Sequence, residues 1–263
     1  VKDQLIEIRE KIGRDENLTP KEHELLSYYN RYQKIQTYSN FANEMFAELD
    51  WQWFQYKLTE IMDEFLETDN ARLVVTAPPR HGKTLLCALG MLIYVFGRYP
   101  ELPIIYVTCN EDKATEVCKQ VLELLAKDKY KNLFPEARVK STVDGEIDKI
   151  SKKTRSETRL KLDNVNSGRG GIKFASITAG IPGTPGAIIL VDDPYTSRQQ
   201  VSSQKERDMA WSGLYSNILS RSEGAKIIVM STHWHPDDII GRLRHTTSQR
   251  LKYNIRPWKF VNF

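Results

Sequence analysis

A short motif in the first third of the chain reads Ala77-Pro78-Pro79-Arg80-His81-Gly82-Lys83-Thr84. A β-branched, apolar run at residues 72–76 comes directly before it, and a largely apolar run at residues 84–96 follows it. The first run is typical of a buried strand and the second of a buried helix. The sequence therefore predicts a strand, a tight loop and a helix in that order.

Such a loop binds phosphate, because successive backbone N–H groups and the N-terminus of a helix point at the anion. The motif follows the spacing GxxxxGK(S/T), with Ala77 in place of the first glycine. Alanine serves at that position if only a small side chain is needed and φ is not positive. We predict nucleotide binding by a loop that includes Pro79, Arg80, His81, Gly82, Lys83 and Thr84.

Roles within the loop follow from charge and reach. Lys83 is expected to contact the β- and γ-phosphates, and the Thr84 hydroxyl is expected to bind Mg²⁺. Arg80, at the crest of the loop, either stabilises the γ-phosphate from within the same chain or is an ordinary solvated arginine. Lys83 and Arg80 are therefore catalytic candidates, and Thr84 is a candidate metal ligand.

An acidic pair, Asp192 and Asp193, follows the apolar run at residues 187–191. Asp192, at the end of a buried strand, is predicted to hold Mg²⁺ directly or through water. Asp193 is the candidate that orients or activates the attacking water. At this position, many ATPases with a phosphate-binding loop carry a glutamate. Aspartate is one methylene shorter, which leaves its reach open. The alternative is that Asp193 and Pro194 only cap the next turn.

Another apolar run, at residues 225–230, ends in Ser231 and Thr232. A hydroxyl at the end of a strand beside the acidic strand can contact the γ-phosphate or the attacking water and couple hydrolysis to motion. His233 and His235 follow, but a His-x-His pair without a clear third ligand is weak evidence for a metal. A helix is expected over residues 239–244, with the preceding acids near its positive end.

The fold class follows from the order of the elements. Buried strands are predicted at residues 72–76, 103–108, 187–191 and 225–230, with helices between them. This alternation predicts an α/β fold with a mostly parallel sheet covered by helices on both faces. Residues 1–68 carry helical patterns, so we divide the chain into a helical segment, 1–68, packed on a core, 69–263. Alternation at residues 158–162 and 172–175 indicates a hairpin or edge strands.

Composition narrows the function classes. With 40% hydrophobic residues among 263, the chain has enough apolar surface for a core. The net charge of +4 permits contact with a phosphate backbone without demanding it. The three cysteines form no CxxC pair, which favours reduced thiols over a disulfide framework. The longest apolar run is interrupted by glycine and is too short to span a bilayer, so no membrane partner is expected.

Taken together, these segments resemble the ATPase domain of the large terminase subunit, the DNA-packaging motor of tailed bacteriophages. The resemblance covers residues 51–243. Its carriers are residues 77–84, the Asp192-Asp193-Pro194 motif, the helix at residues 202–221 and the segment at residues 232–243. Four motifs in the order of the family are more specific than any one of them.

The resemblance implies a RecA-like additional-strand P-loop fold that uses ATP and Mg²⁺ to move double-stranded DNA into a procapsid. It implies a homo-oligomeric ring at the capsid portal, with the portal protein and the small terminase subunit as partners, in the cytoplasm of the infected bacterium. Family members carry an adenine-binding glutamine upstream of the loop. Gln55 is the preferred candidate and Gln52 the other, although both also suit polar positions on a helix.

The sequence departs from the family pattern in two ways. The glycine-rich stretch at residues 179–186 lacks the arginine that often acts on a neighbouring subunit's γ-phosphate, and Arg169 is the candidate replacement. Large terminases also carry an RNase H-like nuclease after the ATPase domain, for which residues up to Phe263 leave no room. We therefore expect an isolated ATPase domain or fragment.

Two alternatives stay open from sequence. One is a helicase-type or repair-type DNA-dependent ATPase built on the same core, which needs a second RecA-like lobe. The other is a nucleotide-binding module with little turnover. The basic residues at 149–159 either face DNA phosphates or form a solvated charged surface.

Overall fold

The computed structural model describes residues 2–14, 16–79, 81–137, 158–160, 170–179, 186–219, 224–252 and 258–263. The helices that precede the first strand are α1 (Lys2–Gly13), α2 (Pro20–Ile35), α3 (Tyr38–Met45) and α4 (Trp53–Glu67). The next elements are β1 (Arg72–Thr76), a π-helical segment (Lys83–Gly90), α5 (Met91–Arg98), β2 (Pro103–Thr108), α6 (Glu111–Ala126) and α7 (Asp128–Leu133).

The second half of the chain completes the sheet. Its elements are β3 (Thr158–Leu160), β4 (Gly171–Ser176), β5 (Ile188–Asp192), α8 (Arg198–Ser202), α9 (Gln204–Ser212), a second π-helical segment (Gly213–Ile218), β6 (Lys226–Ser231), α10 (Ile239–Lys252) and β7 (Lys259–Asn262). Within the described residues, no helix combines the length and the apolar character needed to cross a bilayer.

The strands form one sheet in the order β3-β4-β2-β5-β6-β1-β7. Every neighbouring pair is parallel except β3 with β4, which is antiparallel at the edge. β6 lies between β1, which leads into the loop motif, and β5, which carries the acidic pair. One strand thus separates the strand before the loop motif from the strand of the acidic pair, and the largely parallel sheet confirms the predicted α/β fold class.

Helices cover both faces of the sheet because its strands are apolar on both sides. Along β1, Leu73 and Val75 pack into one buried cluster, and Val74 packs into the cluster on the opposite face. The same alternation places Tyr106 in the first cluster and Val107 in the second. The side chains that point toward the first face therefore meet the helix that follows the loop motif.

Among the N-terminal helices, α3 and α4 contribute buried residues to this first cluster. Thr19 and Glu22 form a capping box at the start of α2, with the Glu22 carboxylate accepting from the Thr19 N–H at 2.8 Å. Tyr38, at the start of α3, is fully buried and donates its hydroxyl to the Leu86 carbonyl of the π-helical segment. The helix after the loop is thus held from the side of α3 as well as from the sheet.

Several elements differ in extent from the prediction, among them α10 and β5. α10 continues to Lys252 instead of ending at Arg244, and Thr247 in this extension is buried. β5 ends at Asp192, which pairs with Met230 and so belongs to the strand. The predicted pairing at the weak end of the sheet is confirmed, since β3 runs antiparallel to β4.

Candidate functional site

Three neighbouring strands end at the same edge of the sheet. β1 leads into Ala77, β6 leads into Thr232 and β5 leads into Asp193. Thr76 is paired with Ser231, and Asp192 is paired with Met230, so the residues that follow lie side by side. Ligands bind parallel α/β sheets at this carboxyl edge, and the edge gathers most of the side chains that the sequence singled out.

The loop motif begins the site. Gly82 has φ of 77°, a left-handed conformation that favours glycine. Ala77 is buried and is not among the described residues with positive φ, so a small side chain is sufficient there, as the sequence suggested. The His81 ring nitrogen Nδ1 lies 3.0 Å from the Pro79 carbonyl. Arg80 lies outside the described residues.

Lys83 is buried at the first position of the helix. Its Nζ donates to the Ala77 carbonyl at 2.6 Å and to the Thr232 hydroxyl at 3.0 Å. Both partners are neutral, so among the described residues the ammonium has no ion pair within hydrogen-bond distance. An ammonium carries three donors. The Lys83 charge is therefore held at the sheet edge with one donor still available for an anion.

Asp192 is a buried carboxylate facing the same helix. Burial raises its pKa to about 7, and the neighbouring charge of Asp193 adds to the rise. Its Oδ2 accepts from the Tyr106 hydroxyl at 3.1 Å. The Thr84 side chain lies near enough to lower the Asp192 pKa. The other oxygen, Oδ1, is buried and has no hydrogen-bond partner within the described residues.

Asp193 has a constrained backbone. Its φ of 39° falls in the left-handed region, which among residues other than glycine is best tolerated by asparagine and aspartate. Its N–H donates to the Met230 carbonyl at 2.9 Å. Burial raises the pKa of Asp193, while the Lys83 charge and the Thr232 N–H oppose that rise. The carboxylate thus lies beside both the loop and the end of β6.

The donor set fits a magnesium ion. A buried carboxylate oxygen without a partner is costly unless a cation or hydrogen bond satisfies it. Asp192 Oδ1 is such an atom, and the Thr84 hydroxyl lies close by. Mg²⁺ prefers oxygen ligands and usually takes only one or two from the protein. Asp192 and Thr84 could therefore hold it.

Ser231 and Thr232 link the loop to β6. Ser231 is buried and donates its hydroxyl to the Thr232 carbonyl at 3.1 Å. The Thr232 hydroxyl contacts Lys83 and lies 3.4 Å from the Ala77 carbonyl. Any ligand that draws the Lys83 ammonium away from Thr232 would therefore act on the end of β6.

Gln55 lies beside the loop at the start of α4. Its Oε1 accepts from the Gln52 N–H at 2.7 Å, and its Nε2 is 3.6 Å from where a Cβ on Gly82 would lie. The adjacent Phe54 ring contacts the His81 ring, with centroids 5.1 Å apart. Gln52 itself is exposed. Of the two glutamines, Gln55 is the one whose amide reaches the loop.

The two histidines after β6 have structural partners. His233 Nδ1 lies 3.0 Å from Asp238 Oδ1, and Asp238 also accepts the N–H groups of Trp234, His235 and Gly241. Asp238 therefore caps the start of α10, as expected for an acid at the positive end of a helix. Within the described residues, no group of three or more histidine, cysteine, aspartate or glutamate side chains is arranged to hold a metal.

Several sequence candidates lie outside the described residues: Arg80, Arg169, residues 180–185 of the glycine-rich stretch and residues 149–157 of the basic run. Tyr106, in contrast, was missed from sequence. Its only signal is a tyrosine inside an otherwise aliphatic buried strand, since a buried hydroxyl needs a hydrogen-bond partner.

An ion-pair network braces the segment after Thr232. Asp237 accepts from Arg242 Nε at 2.8 Å and from Arg207 Nε at 3.2 Å, and Arg242 also contacts Asp208 at 2.6 Å. Arg207 is buried on α9, where it also donates to the Val201 carbonyl. The network ties α9 and α10 to the loop between β6 and α10.

Replacing Asp237 with asparagine is expected to lower the free energy of unfolding at pH 7 by about 1 kcal/mol, because Arg207 and Arg242 lose a shared charged partner. Hydrogen bonds from Arg242 and Arg207 lower the pKa of Asp237 from 3.8 to about 2. A lowered acid pKa stabilises the fold above the ordinary value, and the effect is lost as the pH falls through the lowered value.

The difference between Asp237→Asn and the unaltered chain should therefore shrink below pH 4 and nearly vanish at pH 2. Urea unfolding across this range measures it. Glu60→Gln, which breaks an exposed ion pair with Lys57 on α4, is the control and should change little. A difference that stays constant from pH 7 to pH 2 would show that the charge of Asp237 is not what matters.

Comparison with known proteins gave solved structures only. No protein-family model and no curated protein matches this chain. Among solved structures, the large terminase ATPase domain of Thermus phage P74-26 is 12% identical, with 80% of this chain and 91% of that chain covered and a TM-score of 0.45.

Two longer proteins are similar in the same way. The bacteriophage HK97 large terminase is 13% identical, with 78% of this chain and 38% of that chain covered and a TM-score of 0.47. The large terminase of another, thermophilic bacteriophage is 10% identical, with 82% of this chain and 46% of that chain covered and a TM-score of 0.45. These structural neighbours are phage large terminases or their ATPase domains, but identities this low carry no activity over to this chain.

Proposed function

We propose that this chain hydrolyses ATP with Mg²⁺ and that this reaction drives translocation of double-stranded DNA into a phage procapsid. The hydrolytic part is supported above all by one contact, the bond from Lys83 to Thr232, with Asp193 beside both. This hydrogen bond joins the loop motif to the end of β6, and the Asp193 carboxylate lies within reach of both. The packaging part is supported by the four motifs that follow the order of the terminase family.

The chain's own groups suit phosphoryl transfer. Loop N–H groups and the Lys83 ammonium bind the phosphates, and the ammonium stabilises the charge that develops on the γ-phosphate oxygens. Asp193 orients the attacking water and accepts its proton. Asp192 and Thr84 would hold Mg²⁺, which would supply further positive charge to the β- and γ-phosphates.

Movement follows from the limited number of donors on Lys83. Two of its three donors already serve Ala77 and Thr232. Lys83 is proposed to contact both the β- and the γ-phosphate, and only one of its donors is free. A γ-phosphate therefore competes with Thr232 for the ammonium, and its binding and release change the contact between the loop and Thr232. Asp238 and the Asp237 network carry that change toward α10 and α9. In this proposal, Ser231 and Thr232 couple hydrolysis to motion.

The remaining parts of the proposal come from the family resemblance. DNA contact is through phosphates, because a packaging motor must move any sequence. The basic run at residues 149–159 is the candidate surface, and Arg169 is the candidate that acts on a neighbouring subunit's nucleotide. A ring at the portal, contact with the small terminase subunit and a location in the host cytoplasm belong to the same proposal.

Displacement of a third DNA strand distinguishes the proposed activity from its alternatives. A duplex carrying a triplex-forming oligonucleotide is incubated with the chain, Mg²⁺ and ATP, beside a forked duplex of equal length. We expect ATP-dependent release of the third strand without separation of the fork. Separation of the fork would favour the helicase alternative. Nucleotide binding with neither strand release nor phosphate release would favour the binding module.

The Gln55 amide is expected to select the base. A glutamine amide pairs with adenine through one donor and one acceptor, and the Nε2 group lies beside Gly82. Gln55→Glu keeps an oxygen that accepts the Gln52 N–H, so α4 stays capped while the donor is lost. We expect KM for ATP to rise about tenfold with kcat nearly unchanged, the size of one lost hydrogen bond.

Steady-state kinetics with ATP and GTP measure this effect. Gln52→Ala is the control, because the Gln52 side chain is exposed and its amide donates to the Asp50 carbonyl, and it should leave KM within about twofold. An unchanged KM in Gln55→Glu would remove Gln55 from the base site.

A further inference from the structure

Tyr106 is a buried polar residue to which the proposed reaction gives no role. It lies on β2 and is fully buried in the cluster beneath the helix that follows the loop motif. Its ring packs against Phe174 on β4, with centroids 5.7 Å apart. A phenylalanine would make the same apolar contacts, so packing alone does not explain the hydroxyl.

The hydroxyl has a specific partner. It donates to Asp192 Oδ2 at 3.1 Å, from the strand directly beside β5. In the strand register Tyr106 pairs with Leu190, so Asp192 is its diagonal neighbour on the same face of the sheet. A tyrosine side chain spans that diagonal distance. Because a buried hydroxyl is costly without a partner, the bond also fixes where the carboxylate points.

The bond from Tyr106 also decides what is left for the other oxygen of the Asp192 carboxylate. With Oδ2 engaged by Tyr106, Oδ1 is left buried and without a partner among the described residues. Metal-binding carboxylates are commonly oriented in this way by a second hydrogen bond on the oxygen that does not face the metal, and loss of such a bond typically weakens metal binding roughly 10- to 100-fold.

We propose that Tyr106 is a positioning residue for the divalent cation. Its hydroxyl holds the Asp192 carboxylate by Oδ2, so that Oδ1 is presented to the metal. This rests on the proposed function, since it assigns Asp192 to Mg²⁺. Tyr106 does not contact nucleotide or metal and acts only through Asp192.

Nucleotide affinity with and without metal tests the proposal. A fluorescent ADP analogue is titrated into the chain in Mg²⁺ and in EDTA, and the ratio of the two dissociation constants gives the contribution of the metal. In Tyr106→Phe we expect this ratio to fall roughly 10- to 100-fold, with the affinity in EDTA within about twofold of the unaltered chain. Tyr106→Phe with the full Mg²⁺ effect would overturn the proposal.

Two further variants separate positioning from general loss of structure. Tyr130→Phe removes another buried hydroxyl, one that donates to the Ile93 carbonyl at 3.0 Å, and should leave the ratio unchanged. In an Asp192→Asn background, Tyr106→Phe should cause no additional loss, because its effect passes through Asp192. An additional loss of the same size in that background would show that Tyr106 acts on something else.

The same experiment keeps the two proposals apart. If the unaltered chain binds the ADP analogue equally in Mg²⁺ and in EDTA, the assignment of Asp192 to a metal is wrong and the role of Tyr106 falls with it. If the unaltered chain shows a Mg²⁺ effect that Tyr106→Phe retains, only the role of Tyr106 is lost.

Discussion

Replacing Lys83 with alanine is expected to lower the rate of phosphate release from ATP by at least about 100-fold. Removing a single preorganised donor to a developing oxyanion typically reduces turnover by about 10²–10³-fold. Lys83 is such a donor, because its buried ammonium is already fixed by the Ala77 carbonyl and the Thr232 hydroxyl. During the reaction, the ammonium has only to exchange one of these two partners for a phosphate oxygen.

Phosphate release with saturating ATP and Mg²⁺ measures this effect, and thermal unfolding shows whether the variant stays folded. Lys57→Ala is the matched control, because that lysine is exposed on α4, where it pairs with nearby Glu60. It should turn over ATP at the rate of the unaltered chain. A Lys83→Ala variant that keeps pace with Lys57→Ala would remove the loop motif from catalysis.

Replacing Asp193 with asparagine is expected to lower turnover about 10²–10⁴-fold while nucleotide affinity changes little. A general base typically contributes a factor of this size. Asparagine is the informative substitution, because it is nearly the same size and tolerates the left-handed φ of 39° at this position. The fold is therefore preserved while the carboxylate is lost.

Alanine at the same position provides a second comparison. Asp193→Ala should lose turnover to the same extent, and it should also lose about 1 kcal/mol of stability, because alanine is disfavoured in the left-handed region. Asp128→Asn, on the exposed start of α7, is the control for general loss of an acid. Normal turnover in Asp193→Asn would leave Asp193 with the capping role that the sequence also allowed.

Much of the fold could be predicted because its signals are local. Each buried strand is an apolar run, and the motif at residues 77–84 marks where one strand passes into a helix. The capping box at Thr19 and Glu22 and the start of α10 after Asp238 are also local patterns. The strands β1 and β2 were predicted residue for residue, since both have turn-forming neighbours.

What could not be predicted depends on contacts that are distant in sequence. Tyr106 and Asp192 are 86 residues apart, and their bond follows only from the adjacency of β2 and β5. The network of Arg207, Asp237 and Arg242 likewise requires α9 to lie beside the start of α10. The π-helical turns at Lys83–Gly90 had no sequence signal, because a wider helical turn is set by packing around it.

The same distinction between local signals and distant contacts applies to the candidate site. The sequence singled out Lys83, Asp192, Asp193 and Thr232 as site candidates, because each lies at the end of a strand or belongs to the loop between strand and helix. Their mutual contacts, such as Lys83 with Thr232, required the order of the strands. The unpartnered oxygen of Asp192 required the position of Tyr106 as well. The sequence thus predicted the candidate side chains, and the strand order of the sheet determined which of them are in contact.

The most direct measurement is a crystal structure of the chain with Mg²⁺, ADP and aluminium fluoride, which together mimic the transferring phosphoryl group. We predict the fluoroaluminate beside Lys83, the cation bound by Asp192 Oδ1 and Thr84, and a water between the aluminium and Asp193. Nucleotide bound away from residues 77–84, or an Asp193 carboxylate with no path to that water, would contradict the proposal that this edge of the sheet hydrolyses ATP.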